Sequence, residues 1–177
     1  HGDETGIFNQ GDGGIYVRES AVSGGFVSTD DIGISTITAG EYGIDNYAGN
    51  VLVNNGTIYG STAGVKNEGK GKVDVYNQSN IIGETTGIEN SGTGIVIVTD
   101  NSNVHGREVG INNDLSGGIF IKQSSVTGGE LGDDSGTGIF NTGGNVIANN
   151  AQISGSNIGI ENQGTGRVII YNQSHVS

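Results

Sequence analysis

The stretch TGIENSGTGIVIVTDNSNVHG, Thr86 to Gly106, carries two kinds of hydrophobic pattern. Ile88 stands alone between Gly87 and Glu89, with Asn90 following. Then comes IVIV, Ile95 to Val98, apolar on both faces of a strand. A strand with one solvated face alternates apolar and polar side chains, so this run needs cover on both sides.

The same pattern recurs along the chain. Gly-(Ile/Val)-x-Asn begins at Gly6, Gly43, Gly64, Gly87, Gly110, Gly138 and Gly159, and from Gly43 onward the spacings are 21, 23, 23, 28 and 21 residues. After each motif come a glycine-rich turn and an apolar pair with one residue between: Ile15/Val17, Val51/Val53, Val73/Val75, Val96/Val98, Ile119/Ile121, Val146/Ala148 and Val168/Ile170. A single apolar residue closes each unit, at Val22, Ile58, Ile81, Val104, Val126, Ile153 and Val176. Period-two alternation of β-branched residues is a strand signal, and no helical period competes with it. Three short strands cannot bury their apolar side chains alone, whereas stacked units bury them in continuous columns.

The fold expected is therefore all-β: a right-handed parallel β-helix of about seven coils of 21–23 residues, with two loop insertions, formed by residues 1–177 as one unit. At about 4.8 Å per coil it makes a rod about 35 Å long. His1 in place of Met, and ends that fall inside a repeat, point to a processed or excised part of a longer chain.

Two columns stand out. Asn9, Asn46, Asn67, Asn90, Asn113, Asn141 and Asn162 stack one above another, where amides can hydrogen-bond along the axis as a structural ladder. The glycine preceding each apolar residue is expected to turn a corner. The second column points outward between the members of each apolar pair: Tyr16, Leu52, Asp74, Ile97, Phe120, Ile147 and Ile169. Six of these seven are apolar, and such a stripe along a rod marks a surface covered by a flanking segment or by a partner, a second copy included.

Composition limits the remaining chemistry. Gly accounts for 35 of 177 residues, only 32% are hydrophobic, and Cys, Pro, Met and Trp are absent. No disulfide or thiolate metal site is available. Seven Lys+Arg against nineteen Asp+Glu give a net charge of −12, which disfavours nucleic acid and anionic membranes. No apolar run reaches the length of a membrane span. His1, His105 and His175 lack metal-binding spacing, and no nucleophile–base constellation or phosphate loop stands out. No catalysis is expected on these grounds.

Two insertions interrupt the repeat, Gly24 to Tyr42 and Gly128 to Thr137, each with an Asp pair. Asp30, Asp31, Asp133 and Asp134 could ligate calcium, or serve as paired carboxyls for glycoside cleavage, or simply form solvated turns.

The units GIENSGTGIVIVTDNSNVHG and GIENQGTGRVIIYNQSHVS resemble the passenger β-helices of bacterial autotransporters, the adhesin and self-association type, across essentially the whole chain. The resemblance implies a secreted, cell-surface rod whose faces bind host molecules, glycans or sister cells. The chain departs from that family's full pattern in showing no signal peptide, translocating barrel or autochaperone-like cap. Three expectations follow: a non-enzymatic extracellular rod for adhesion or self-association, a fibre subunit assembled by coil stacking, and a carbohydrate-active β-helix enzyme.

Overall fold

Each repeat forms three strands because its apolar residues come in three short β-branched runs, with glycine, asparagine or serine between them. In the repeat quoted above, these are Thr86–Asn90, Val96–Thr99 and Asn103–Gly106. The computed structural model describes residues 4–29, 35–130 and 134–177. Equivalent strands pair from coil to coil in parallel and build three seven-stranded sheets that enclose one core. The first sheet carries the Gly-(Ile/Val)-x-Asn motifs, the second the apolar pairs, and the third the single apolar positions. The molecule is a parallel β-helix, and among the described residues no helix is long and apolar enough to cross a membrane.

Register places like above like. Ile88 pairs with Val65 and Ile111, Val98 with Val75 and Ile121, and Val104 with Ile81 and Val126. All nine are at most 1% exposed. Val168 and Ile170, expected inside, are 38% and 46% exposed on the edge strand of the second sheet. The motif glycines do not turn corners. A Cβ on Gly87 would lie 2.5 Å from Gly110 O and 2.6 Å from Val104 Cγ1, so close packing inside a strand is what requires glycine there.

The corner between the second and third sheets has a column that the sequence reading overlooked. Ser79 Oγ donates to Tyr76 O (2.6 Å) and accepts from Gly56 N (3.2 Å) of the preceding rung. Ser102 and Ser124 accept in the same way from Ser79 N and Ser102 N. The first insertion, expected as a loop, contains an antiparallel hairpin of Gly25–Thr29 with Ser35–Ala39. Its Val, Thr and Ile content favours extended backbone.

Candidate binding face

The outward column of the second sheet is continuous in register: Tyr16↔Leu52, Leu52↔Asp74, Asp74↔Ile97, Ile97↔Phe120, Phe120↔Ile147 and Ile147↔Ile169. Tyr16 and Ile169 are 57% and 42% exposed, and the four apolar residues between them are half-buried. Asp74 interrupts the column but does not present a bare charge, because Lys72 Nζ lies 2.7 Å from its Oδ2.

Along Ile97, Phe120 and Ile147 the face deepens into a groove of about 920 Å³. Ile95 and Leu115, exposed at 45% and 49%, contribute to its walls, and Gly118 lies in its lining. Ile95 opens the run read above as apolar on both faces but was not placed in the outward column, and Leu115 was not singled out from sequence. Ile95 immediately precedes an apolar pair and Leu115 interrupts a polar turn, which are the signals that could have found them.

The asparagines hold these walls in place. Asn9, Asn46, Asn67, Asn90 and Asn113 each donate through Nδ2 to the Oδ1 of the next asparagine in the column, over 2.7–2.8 Å. Asn141 does the same to Asn162 at 2.6 Å. The remaining amide hydrogen goes to the turn that follows. Asn90 donates to Gly94 O (2.8 Å), just before Ile95, and Asn113 to Gly117 O (2.6 Å), fixing the turn that bears Leu115.

A second cluster lies on the outward row of the first sheet. There Asp45 pairs in register with Lys66, and Lys66 with Glu89. Lys66 Nζ is 2.7 Å from Glu68 Oε1 and 4.9 Å from the Tyr42 ring centroid. Hydrogen bonding to Glu68 holds the ammonium above its ordinary range, which suits a fixed cation and not a proton acceptor. Burial pushes the Asp45 and Glu89 carboxyls up. Asp45 is 6% exposed and its Oδ1 has no partner. These residues occupy the variable position of Gly-(Ile/Val)-x-Asn, which looks uninformative until the rungs are stacked.

Of the proposed calcium ligands, Asp30, Asp31 and Asp133 lie outside the described residues, and Asp134 is exposed. Among the described residues no group of three or more His, Asp or Glu side chains is placed to hold a metal ion. No known protein family, curated protein or solved structure matches the chain.

Proposed function

We propose that the protein is a non-enzymatic extracellular rod that mediates adhesion at a cell surface, with copies of itself as the foremost partner. The observation that carries this reading is the apolar column running unbroken from Ile97 to Ile169, deepened by Ile95 and Leu115 into a groove. Its likeness to autotransporter passengers supports the extracellular placement.

Withdrawing one such side chain fully from water is worth about 1.5–3 kcal/mol, and less where it is already half-buried. Association costs of about 4–15 kcal/mol are therefore offset only by contact along the stripe, not at one residue.

Sedimentation velocity over a concentration series tests the reading. The native chain should self-associate, and Ile97→Lys with Phe120→Lys should abolish association while leaving the melting curve unchanged. Gly118→Leu should act in the same way by filling the groove. A Cβ at Gly118 meets only Asn145 O at 3.5 Å and Ile95 Cγ2 at 3.9 Å, so the backbone tolerates it. A native chain that stays monomeric throughout, or a lysine variant that associates as before, would sink the proposal.

A further inference from the structure

At the corner between the second and third sheets the backbone departs from what its side chains favour. Non-glycine residues with positive φ occur in every rung there, from Glu19 (φ 47°) through Asn77 (55°) and Gln78 (60°) to Gln173 (61°). Among the described residues, all ten non-glycine positive-φ positions lie at this corner. Each is Asn, Asp, Gln or Glu, and each is exposed.

Glycine takes this conformation without steric cost, and the chain has 35 glycines to draw on. It places positive-φ glycines elsewhere, at Gly49 and Gly129. Asn and Asp reach the left-handed region with help from a short polar side chain, but Glu19, Gln78, Gln123 and Gln173 have no such help. Strained backbone of this kind collects at functional sites, where the side chain is worth the strain.

The side chains form an ordered track. Asn77 Nδ2 donates to Asn54 Oδ1 at 2.8 Å, and Asn172 Nδ2 to Asn149 Oδ1 at 3.0 Å, so amides align along the axis. An amide has a second N–H and further acceptor lone pairs, which leaves capacity for an outside partner. Shallow grooves of about 400 and 510 Å³ run beside Gln78 and Asn101, and beside Gln123 and Gln173. Tyr16 and Tyr171, 57% and 41% exposed, flank the track, and Asn54 Nδ2 donates to the Tyr16 hydroxyl at 3.3 Å. Charges here nearly cancel: Arg18 pairs with Glu19 at 3.4 Å, and Lys122 offsets Asp100.

Groups that both donate and accept, repeated at rung spacing without net charge, match hydroxyls, which also donate and accept. We propose that this corner binds a neutral linear polysaccharide lying along the rod, with its hydroxyls on the amides and its ring faces against Tyr16 and Tyr171. The net charge of −12 disfavours polyanionic glycans. The proposal does not rest on self-association through the apolar stripe; only Tyr16 belongs to both surfaces.

Native gel electrophoresis through hydroxyethylcellulose, glucomannan or galactomannan, with polygalacturonate as the anionic control, tests it. The native chain should be retarded in at least one neutral gel and not in polygalacturonate. Gln78→Gly with Asn101→Gly and Gln123→Gly removes the amides while easing the backbone, so retardation should vanish with little change in melting. Should that variant fail to fold, Gln78→Glu with Asn101→Asp and Gln123→Glu keeps the shapes, removes the amide donors and should likewise abolish retardation. Ile97→Lys with Phe120→Lys should still be retarded, which separates this track from the self-association face. Unchanged mobility in every neutral gel, equal retardation of the variants, or retention by polygalacturonate alone would overturn the proposal.

Discussion

Asn90 is fully buried and takes part in three hydrogen bonds: it accepts from Asn67 and donates to Asn113 and to Gly94 O. Asn90→Ala would leave buried partners unpaired on both neighbouring rungs, at a cost of about 2–3 kcal/mol. Asn162 ends the column half-buried, accepting from Asn141 and donating to Gly166 O with no further asparagine to bond, so Asn162→Ala should cost less, about 1 kcal/mol. Urea midpoints of the two variants check this, and equal losses would contradict a ladder whose worth depends on burial. The column itself was legible in the sequence, because one asparagine recurs at one place in every repeat. The second amide hydrogen bond, to a carbonyl three or four residues on, was not legible, since it depends on how the glycine turn folds back. The motif glycines were legible as invariant within the repeat but not in their reason. Only the stacked rungs reveal the carbonyl of Gly110 against Gly87.

A strand of the first sheet presents one outward residue from its motif, and stacking turns that residue into a row. Asp45 sits in this row beside Lys66, and burial raises its carboxyl pKa above the unfolded value. The folded chain therefore binds this proton more tightly than the unfolded chain does. Its contribution favours folding at low pH and is lost as pH rises from the unfolded toward the folded pKa. Asp45→Asn removes that dependence. The melting temperature of the variant relative to the native chain should rise with pH from about 3 to 7, across the ordinary carboxylate range. A difference that stays flat, or falls with pH, would show that Lys66 and not burial governs this carboxyl. Strand identity was readable from period-two alternation, yet the composition of this row was not, because neighbours in it are 21 or more residues apart in the chain. The hairpin of Gly25–Thr29 with Ser35–Ala39 escaped for a different reason: as an insertion, it has no counterpart in other repeats to reinforce its pattern.

At the scale of the whole rod, stability should be a sum over rungs and their interfaces. Thr86 pairs with Ala63 on one side and Val109 on the other, a step of 23 residues each way. Deleting residues 86–108 should therefore bring Asn113 onto Asn67 and shorten the rod by about 4.8 Å. Small-angle scattering and a thermal melt should show a shorter, folded and somewhat less stable molecule, whereas an unfolded product would mean that the rungs are not interchangeable. The ladder gives the rod a further property. All six amide bonds run the same way, donor on the earlier rung and acceptor on the later. Buried, aligned amide dipoles add along the axis much as peptide dipoles do in a helix, and little water screens them. The rod is in this sense a small electret, with its negative pole toward Asn9 and its positive pole toward Asn162. Two such dipoles side by side attract when they point in opposite directions, and an antiparallel pair related by a two-fold axis lays the same stripe on itself.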